Sequence, residues 1–599
     1  MEYSQLKDKF LDFFEKKGHK ILPSFSLLPP EYDPTLLLVN AGMVPLKPYF
    51  LSQKDPLKDF GSKKVATIQR CVRTLDIEKV GQTPRHLTFF EMMGNFSFGD
   101  YFKEEAIAWS LDFLTKNIGL PKERLHITVF KGNEKIPADE ESIKIWQKNG
   151  INKIYEFSEK DNFWGPPGLE GPCGPNTEIH YDRGPEFKKE KCTIKGCGPN
   201  CECGRFVEIW NLVFMEYYKD RDGNFQKLKQ QNVDTGMGLE RVLMILNNKE
   251  SVFETEVFWP IIEFIQNYFG VDYQNQENKR MIRVIADHLK AAIFMIADGI
   301  VPSNIERGYI LRRLLRRSIH YGMILKKEKN FSGKIAEKII EIYRNDYPFL
   351  ENKKEEILLQ INKEEEKFSK VISQGLKYLE KEKVIDGVKA FYLFSTYGLP
   401  LELIEEVARE KNIKVDREGF YQEFKKHQEI SRAKNNKRFV GGLESHSKRV
   451  IKLHTAHHLL LAALRKILGD HVHQKGSNIN EERLRLDFSH PQKLTEEQLK
   501  KVEDFVNQAI LQKLNVFCQE VDLETAKKFG ALGEFEAKYQ PKVTVYTIGD
   551  TLESGDFISA EICGGPHVKN TGELGIFKIL KEESVAAGIR RIKATLIEE

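Results

Sequence analysis

The sequence predicts an α+β fold in which an antiparallel sheet flanked by helices is followed by a helical domain and then by an α/β domain. Residues 1–245 mix helical spacing with strand-like runs, HITVF from His126 and FVEIWNLVFMEYY from Phe206, and contain most of the Gly-Pro punctuation. Residues 246–440 are strongly helical in pattern, and residues 441–599 return to a mixed pattern. These changes of pattern predict three domains with those boundaries.

Length and composition exclude several classes of protein. With 599 residues, 41% of them hydrophobic and 30% charged, the chain is too long for one core and has a globular rather than a disordered composition. No stretch approaches the roughly 20 apolar residues that a membrane span requires. The first residues, MEYSQLKDKFLDFFEKKGHK, follow helical spacing and are interrupted by Glu2, Asp8 and Asp12, which argues against a signal peptide. We therefore expect a cytoplasmic protein with no membrane partner.

The helical section carries a local positive charge. From Lys279 to Lys329 the sequence has twelve Lys or Arg against four Asp or Glu, a local excess of +8. One interpretation is a surface that neutralises phosphates, and the other is a solvated helix face. An apolar stripe predicts the buried side of one helix here, formed by Leu311, Leu314, Leu315 and Ile319. Arginines at 312, 313, 316 and 317 fall off that stripe, and a polar, basic stretch from Ser431 to Arg449 has the composition of a linker.

Four of the eight cysteines lie within one short loop. Cys192, Cys197, Cys201 and Cys203 are threaded through Gly and Pro in KCTIKGCGPNCECGRF. Such a cluster favours a knuckle-like tetrathiolate zinc site, which would be structural because four protein thiolates leave no open position. The spacing is not the common paired one, and two redox disulfides are the alternative.

A second group of zinc-type ligands lies near the C-terminal end. His454 and His458 are one helical turn apart, and Cys563 and His567 follow about a hundred residues later. Three imidazoles and a thiol can complete a zinc tetrahedron, with the first pair on one face of a helix. The alternatives are a purely structural zinc, or no metal and two core histidines.

Two segments of the first domain carry a recognisable arrangement. The stretch QRCVRTLDIEKVGQTPRHLTFF from Gln69 predicts a strand with Arg73, a loop and a return strand, and DTGMGLERVLMIL from Asp234 places two glycines before a helix with Arg241. A strand–loop–strand with an internal arginine, followed far downstream by Gly-x-Gly-x-x-Arg, resembles motifs 2 and 3 of class II aminoacyl-tRNA synthetases. Each segment alone is a weak signal.

Longer stretches make the resemblance specific. RHLTFFEMMGNFSFGDYFKEEAI, DNFWGPPGLEGPCGP, EIWNLVFMEYY, VDTGMGLERV, CGGPHVKNTGELG and SVAAGIRRI, in this order and over nearly the whole chain, resemble the alanyl-tRNA synthetase family. The resemblance implies an alanine–tRNA ligase that activates L-alanine with ATP to alanyl-adenylate and transfers it to the 3′ end of tRNA(Ala). It also implies a separate editing domain that hydrolyses Ser-tRNA(Ala) or Gly-tRNA(Ala).

The resemblance implies roles in amino-acid activation, in which the carboxylate of alanine attacks the α-phosphate of ATP. Because two anions must meet, the site needs cations and placement. Arg73 is expected to bridge the two, since a guanidinium can contact both anions. Asp234 is expected to hold the α-ammonium group, with Asn211 and Trp164 shaping a pocket for the methyl group. Magnesium is expected to bridge the phosphates.

The nucleotide is expected to lie between planar side chains. Arg241 would stack on adenine from one side and Phe89 or Phe90 from the other, and small glycines would let the backbone approach closely. The expected ATP-contacting set is Arg73, Arg85, Phe89, Phe90, Met92, Thr235, Gly236, Gly238 and Arg241. Without the ordered motifs, the aromatic residues and Trp164 would be core side chains and Asp234 a helix cap.

A pocket for alanine explains why a second site is expected. A missing methylene or an added hydroxyl gives only about 10- to 200-fold discrimination in an apolar pocket, so glycine and serine are poorly excluded. By resemblance, His454, His458, Cys563 and His567 bind zinc in the editing domain, and Gln474 lies close to the ester. Whether zinc activates a water or orients the end of the tRNA stays open.

The helical section resembles the family's acceptor-recognising helices in VPSNIERGYILRRLLRRSIHYG, from Val301. Asn304 falls where the family reads the guanine–uracil pair of the acceptor stem. Arginines beyond it would hold phosphates, namely Arg307, Arg312, Arg313 and Arg316. The family's partner aspartate is absent, since FSTYGLPLE places Ser395 there.

The sequence also departs from the family in its architecture. No β-barrel insertion precedes the histidine pair, and the chain stops at Glu599 without the helical dimerising segment and tRNA-binding module that many members have. We therefore expect a monomer. Two competing hypotheses are a trans-acting deacylase that no longer activates amino acids, and a non-catalytic zinc- and RNA-binding protein.

Overall fold

The computed structural model describes residues 1–30, 36–166, 168, 170–187, 192, 197–326, 330–436, 447–533, 542–586 and 588–597. The chain divides into two compact units. Met1–Ile385 and Tyr392–Val415 form the first, and Asp386–Phe391 and Asp416–Glu599 form the second. The predicted 440/441 boundary and the middle of the predicted linker, residues 437–446, lie outside the described residues.

A nine-stranded sheet organises the first unit. Its strands are β1 (Lys20–Ile21), β2 (Lys64–Val72), β3 (Phe89–Phe98), β4 (Leu125–Phe130), β5 (Ile154–Phe157), β6 (Phe163–Trp164), β7 (Gly171–Asp182), β8 (Phe206–Lys219) and β9 (Phe225–Gly238). The order is β1-β2-β3-β9-β8-β7-β4-β5, with β6 paired to β7. Pairing is antiparallel except for β1 with β2 and β4 with β5 near the two edges. The predicted α+β class with a largely antiparallel sheet is confirmed.

Strand register places the candidate site residues on one face of this sheet. Asn211 of β8 pairs with Gly236 of β9, Val213 pairs with Asp234, and Met92 of β3 pairs with Gly238. Because side chains alternate along a strand, these directly paired residues share a face. The residues between them point to the opposite face.

Helices cover the opposite face. Trp210 of β8 is fully buried there, and the rings of Phe10 and Phe14 from the first helix lie 6.2 and 6.3 Å from it. The helices up to the end of the sheet are α1 (Tyr3–Lys16), α2 (Lys47–Phe50), α3 (Pro56–Phe60), α4 (Lys103–Asp112), α5 (Glu140–Lys148), α6 (Glu159–Asn162) and α7 (Leu239–Leu246).

The section after the sheet is helical, as predicted. Its elements are α8 (Trp259–Phe269), α9 (Gln276–Ala297), α10 (Glu306–Lys326), α11 (Ser332–Tyr343), α12 (Phe349–Asn352), α13 (Lys354–Glu380), β10 (Val384–Ile385), α14 (Gly387–Tyr397), α15 (Leu401–Glu410) and β11 (Lys414–Val415). The predicted apolar stripe of α10 is fully buried. Helix α9 is buried on nearly all sides after its first two turns, because it packs between α10 and strand β3.

The second unit combines helices with two antiparallel sheets. Its elements are α16 (Arg417–Asn436), α17 (Lys448–Leu468), β12 (Gln474–Ile479), β13 (Leu484–Ser489), α18 (Glu496–Leu511), β14 (Asn515–Asp522), α19 (Leu523–Lys528), β15 (Lys542–Gly549), β16 (Phe557–Ile562), β17 (Ile576–Ala586) and β18 (Ile589–Ile597). The sheet orders are β12-β13-β18-β17 and β14-β15-β16. Helices α17 and α18 pack on the first of these sheets through apolar side chains such as Leu453, Leu460 and Val506.

None of the described helices combines the length and the apolar character needed to cross a membrane.

A close backbone approach between β7 and β8 gives a test of the sheet. Gly174 lies at a bulge in β7, and a Cβ at this position would lie 1.9 Å from the carbonyl oxygen of Phe214. Gly174→Ala should therefore destabilise the first unit by about 1–3 kcal/mol or more, because backbone must move to accommodate it. Gly238→Ala is the control, since its Cβ would meet only Arg241 at 3.6 Å with φ at −71°. Thermal unfolding followed by circular dichroism should show a lower midpoint for Gly174→Ala alone, and equal midpoints for both variants would contradict the packing.

Candidate functional sites

A cavity of about 690 Å³ opens on the face of the sheet that carries the paired residues. Strands β3, β8 and β9 form its floor with Met92, Asn211, Val213, Asp234 and the backbone of Gly236. Its walls carry side chains from the β2–β3 loop, β6, β7, β8 and α7, namely Arg73, Arg85, His86, Phe90, Trp164, Asn176, Glu178, Glu208 and Arg241. The structure therefore brings most of the sequence-predicted front-site residues into one cavity.

Asp234 is a buried carboxylate on the floor of this cavity. The residue is 5% exposed, and among the described residues no side chain or amide donates a hydrogen bond to its carboxylate or forms an ion pair with it. Burial raises the pKa of Asp234 from 3.8 to about 7. A buried anion without a cationic partner is costly, so the site favours a ligand that brings a positive charge.

Asn211 is held in one orientation beside Asp234. Its amide nitrogen donates to Oε1 of Glu178 at 3.1 Å, and its side-chain oxygen accepts from the amide of Asn176 at 2.9 Å. The other carboxylate oxygen of Glu178 lies 2.9 Å from Nε2 of His180. Trp164, half-buried on the short strand β6, lines the same cavity. These contacts fix a small polar and aromatic wall beside the buried carboxylate.

Three guanidinium groups face the cavity from its other side. Nη1 of Arg241 lies 2.8 Å from Oε2 of Glu208. Burial alone raises the pKa of Glu208, but Arg241, with His180 and Arg73, holds it below its ordinary value. Burial, and then the like charge of Arg241, lower the pKa of Arg85. The cavity therefore concentrates positive charge that only partly meets protein carboxylates.

Arg73 enters the cavity from the end of β2. Its backbone N–H donates to the carbonyl of Thr88 at 2.9 Å, and its Nε donates to the carbonyl of Asn40 at 3.2 Å. Its guanidinium carbon lies 4.9 Å from the ring centroid of Phe90, a cation–π contact. Backbone hydrogen bonds and an aromatic face thus orient Arg73, and no carboxylate among the described residues forms an ion pair with it.

Two predicted nucleotide-contacting residues lie on the wrong face of the sheet. Phe89 is fully buried and stacks on Phe294 of α9, with 4.2 Å between ring centroids. Thr235 is also buried, and its hydroxyl donates to Oδ1 of Asn95 at 2.6 Å. The expectation that they contact ATP is corrected, because each alternates with a residue that does face the cavity, Phe90 and Asp234 respectively.

The sequence interpretation also missed several cavity residues. His86, Asn176, Glu178 and Glu208 line the cavity but were not singled out. Asn176 and Glu178 lie two positions apart on β7, and Glu208 opens the EIWN stretch that also contains Asn211. Alternation within β7 relates Asn176 to Glu178, but His86 lies in a loop and Glu208 is out of phase with Asn211, so no single pattern in the sequence would have found all four.

The four cysteines of the β7–β8 connection converge. The Sγ atoms of Cys192 and Cys201 are 3.5 Å apart, those of Cys197 and Cys203 are 3.4 Å apart, and all four lie within 4.8 Å of one another. A disulfide requires about 2.05 Å, whereas thiolates around a tetrahedral zinc at about 2.3 Å are about 3.8 Å apart. The arrangement therefore fits four thiols around a shared ion better than two disulfides.

The second ligand group is brought together by α17 and the segment after β16. One donor atom from each of His454, His458, Cys563 and His567 lies within 4.8 Å of the others. The Sγ of Cys563 is 3.5 Å from Nε2 of His454, although 109 residues separate them. Burial lowers the pKa of His454 to about 4 and those of His458 and His567 well below 6.5. The imidazoles are therefore neutral, which is the form that binds zinc.

Neighbouring groups orient two of these rings. Nδ1 of His454 lies 3.1 Å from the carbonyl of Pro566, and Nδ1 of His567 lies 3.1 Å from the hydroxyl of Thr455. A carbonyl partner fixes the proton of His454 on Nδ1 and leaves Nε2 as a donor to a metal, an arrangement common around zinc. Nε2 of His567 is buried without a partner among the described residues. The donor set and its surroundings therefore fit a zinc ion.

Two further residues, Glu561 and Gln474, bear on what the His–His–Cys–His group could do chemically. Glu561, which the sequence interpretation did not single out, places Oε2 3.6 Å from Nε2 of His458. It is two positions before Cys563 in the same stretch of the chain. Gln474 begins β12 and is half-buried, and its position next to an ester substrate stays a prediction.

The α10 arginines predicted to hold phosphates are already paired. Arg312 and Arg316 lie 3.1 and 2.7 Å from the carboxylate of Glu364, and Arg313 lies 2.5 Å from that of Glu78. Carboxylates of the protein thus compensate part of the charge of these three arginines, and their contact with phosphates stays a prediction. The positive excess counted along the sequence is largely compensated by glutamates from distant segments.

The other residues that were expected to contact or read the tRNA are exposed or half-buried. Asn304 is exposed, and its side-chain oxygen accepts a hydrogen bond from Arg312. Arg307 is half-buried, and among the described residues no carboxylate forms an ion pair with it. Ser395 is exposed on α14, with its hydroxyl 3.5 Å from the carbonyl of Tyr392.

Comparisons with known proteins place these features in a family. A family model described as class II (A) tRNA synthetases matches residues 5–475. A second, described as the threonyl and alanyl tRNA synthetase second additional domain, matches residues 543–593. The second match contains Cys563 and His567, which are two of the four residues of the His–His–Cys–His group.

Curated relatives match along the whole chain. An alanine–tRNA ligase of Borreliella afzelii (strain PKo) is 47% identical over 612 residues, which cover 100% of both chains. That of Treponema denticola is 47% identical, covering 99% of this chain and 98% of its own. That of Thermoanaerobacter sp. (strain X514) is 39% identical over 99% of this chain and 79% of its own.

The raised pKa of Asp234 predicts a pH-dependent stability. Between pH 3.8 and about 7 the folded chain keeps a proton that the unfolded chain has released, so this carboxylate lowers stability progressively as the pH rises through that window. Asp234→Asn removes the effect. Differential scanning fluorimetry should show the variant unfolding above the wild type at about pH 8, with a difference that shrinks toward about pH 5.5.

Asp100→Asn, at an exposed position, is the matched control. Its difference in unfolding temperature from the wild type should not change with pH in this way. A difference between wild type and Asp234→Asn that is independent of pH, or that grows on acidification, would contradict the assigned pKa.

Proposed function

Because this chain belongs to the alanine–tRNA ligase family of class II tRNA synthetases, we propose that its sheet cavity converts alanine and ATP to alanyl-adenylate and charges tRNA(Ala). We propose in addition that the His–His–Cys–His group serves the hydrolysis of Ser-tRNA(Ala) or Gly-tRNA(Ala). The first proposal depends on the buried, unpaired carboxylate of Asp234, and the second on the converging zinc-type ligands.

Asp234 is the proposed partner of the α-ammonium group of alanine. The carboxylate is buried at the floor of the cavity and has no described cationic partner. An ammonium ion there would supply the missing charge and return the pKa of Asp234 toward its ordinary range. Asn211 and Trp164 line the same region and would limit the space left for the side chain of the amino acid. A small, zwitterionic amino acid fits this arrangement.

The guanidinium groups would gather the two anions that react. An oxygen of the alanine carboxylate attacks the α-phosphorus of ATP, the bond from that phosphorus to the bridging oxygen breaks, and pyrophosphate leaves. No proton has to move, so the protein contributes placement and charge compensation. Arg73, which forms no ion pair with the described carboxylates, is proposed to contact both the carboxylate of alanine and the α-phosphate. Arg85 and Arg241 would compensate the remaining phosphate charge.

The nucleotide base would lie against an aromatic and a guanidinium face. Phe90 faces the cavity, whereas Phe89 does not, so Phe90 is the proposed aromatic partner of adenine. Arg241 is the proposed partner on the other face, held in place by Glu208. Glu178 and Glu208 are the cavity carboxylates that would hold Mg²⁺. When bound, the ion would neutralise part of the phosphate charge.

The His–His–Cys–His group is proposed to hold a zinc ion for editing. His454, His458, Cys563 and His567 offer four protein ligands, which fill a tetrahedron and leave no open position for water. This favours a zinc that anchors or orients the end of the tRNA over one that activates a water. The neighbouring carboxylate of Glu561 is available to accept a proton from an attacking water.

The cysteine loop is proposed to hold a structural zinc. Cys192, Cys197, Cys201 and Cys203 would close the connection between β7 and β8, two strands that line the cavity. Exposed Asn304 is proposed to read the acceptor stem of the tRNA. Arg307 is the proposed phosphate contact, since no carboxylate among the described residues forms an ion pair with it.

Alanine-dependent ATP–pyrophosphate exchange tests the front site. The wild type should exchange with alanine, and Asp234→Asn should lose at least about 10²-fold in kcat/KM for alanine, because the ammonium loses its charged partner. Asp100→Asn, the same substitution at an exposed position, should match the wild type.

Hydrolysis of seryl-tRNA should be unaffected by Asp234→Asn. Wild-type protein that hydrolyses seryl-tRNA without exchange would instead be a deacylase. Wild-type protein that binds tRNA with neither activity would be a non-catalytic RNA-binding protein.

Metal analysis tests the two cysteine-containing groups separately. Purified protein should hold two zinc equivalents, measured by inductively coupled plasma mass spectrometry. Cys563→Ser should lose one equivalent and the hydrolysis of seryl-tRNA while keeping alanine-dependent exchange. Cys203→Ser should lose the other equivalent, and Cys518→Ser, at an exposed cysteine outside both groups, should keep both. Wild-type protein free of zinc would refute both metal assignments.

A further inference from the structure

The loop between β2 and β3 carries two of the cavity's arginines and is tied to the helices behind it. It runs from Arg73 to Thr88, and the hydrogen bond between the N–H of Arg73 and the carbonyl of Thr88 closes its base. Arg73 and Arg85 point into the cavity. The middle of the loop, around Ile77 and Glu78, faces helix α10 instead.

Two arginines of α10 form hydrogen bonds and ion pairs with the middle of this loop. Nη2 of Arg313 lies 2.5 Å from Oε1 of Glu78. Nη1 of Arg317 donates to the carbonyl of Ile77 at 2.9 Å, and its Nη2 lies 3.6 Å from the Glu78 carboxylate. Arg317 is only 1% exposed. A buried guanidinium that bonds a loop carbonyl is a specific contact and not part of a solvated helix face.

A network of buried side chains connects Arg317 to the end of the loop at Thr88. Nη1 of Arg317 lies 2.9 Å from Nε2 of His288 on α9, so this nitrogen accepts and Nδ1 carries the proton. Nδ1 in turn lies 2.8 Å from Oδ2 of Asp287, whose Oδ1 accepts from the N–H of Thr88 at 2.9 Å. Burial lowers the pKa of His288, which agrees with a neutral ring. The middle and the end of the loop are thus connected through one buried network.

Helix α15 holds the arginines themselves in place. Arg313 lies 3.2 Å from Glu402, and Arg317 lies 3.2 Å from Glu406, which is also paired with Arg280. Each guanidinium is therefore held between a carboxylate of α15 and the loop. Lysine could not replace Arg317 here, since a single ammonium cannot contact four separated partners at once.

We propose that Arg313 and Arg317 are positioning residues for ATP, which hold the β2–β3 loop in the register that aims Arg73 and Arg85 into the cavity. The proposal rests on the proposed function, in which this cavity binds ATP. Glu78 supports it, because its neighbours Asp76 and Lys79 line the cavity while Glu78 does not. The carboxylate of Glu78 contacts α10, and Arg313, which was predicted from sequence to bind a phosphate, contacts the nucleotide-binding loop together with Arg317.

Glu78→Gln tests the proposal with little risk to folding, because the side chain of Glu78 is 45% exposed. In ATP–pyrophosphate exchange, KM for ATP should rise about 10-fold, and kcat/KM should fall toward 10²-fold, as a displaced loop misplaces both arginines. KM for alanine should rise less than KM for ATP, because Asp234 and Asn211 lie on the sheet and keep their contacts with alanine, whereas only the contact from Arg73 to its carboxylate is displaced. Glu78→Asp, which keeps the charge, should restore part of the loss.

Two further variants complete the comparison. Glu104→Gln is the matched control, because it removes an exposed ion pair with Lys148 far from the loop, and its kinetics should equal the wild type. Arg317→Lys should show a larger rise in KM for ATP than Glu78→Gln. Seryl-tRNA hydrolysis, which depends on the second unit, should be unchanged in all variants. Circular dichroism at the assay temperature reports that the first unit, which carries the substitutions, is folded.

Folded Glu78→Gln and Arg317→Lys proteins with wild-type KM for ATP would overturn the positioning role, as would equal rises in KM for ATP and for alanine. A wild type without exchange would contradict the proposed function instead. In that case calorimetric titration with ATP would still decide the positioning role, since weaker binding by the two variants supports it and equal binding overturns it.

Discussion

The front half of the molecule depends on a carboxylate that is buried without a described cationic partner. Asp234 lies on β9, directly between its paired neighbours Phe96 of β3 and Val213 of β8. The same face carries Gly236, where a Cβ would lie only 2.9 Å from the sulfur of Met92. A larger residue there would fill the floor. The sheet thus keeps both a charge and a space free for a ligand, at a cost to the stability of the empty protein.

The arginines of the first unit divide between two tasks. Arg73, Arg85 and Arg241 face the cavity, where protein carboxylates compensate only part of their charge. Arg313 and Arg317 of α10 are instead paired with glutamates, including Glu78 of the loop behind the cavity. A phosphate-binding site needs both arrangements, since free cations attract the ligand and paired cations hold the free ones in position.

Short-range patterns in the sequence predicted more than long-range ones. The stripe of α10, the four-cysteine cluster and each of the two ligand pairs, His454 with His458 and Cys563 with His567, followed from spacing within a few residues, because helical periodicity and ligand pairs are local. The face on which Phe89 and Thr235 lie could not be predicted, since strand register decides it and a shift of one residue reverses every side chain. The pairing of Arg313 with Glu78 could not be predicted from the sequence either, because 235 residues separate the two. Counting charges along a helix finds cations but not their distant partners.

Proton release on alanine binding tests most directly whether Asp234 holds the substrate ammonium. Calorimetric titration with alanine in buffers of different ionisation enthalpy measures the protons released per bound molecule. With the pKa of Asp234 at about 7 in the empty cavity, binding should release about half a proton at pH 7 and close to none at about pH 8.5, because the ammonium makes the carboxylate ionise. Asp234→Asn should release none. Binding without proton release in the wild type, or with the same release in the variant, would contradict the account.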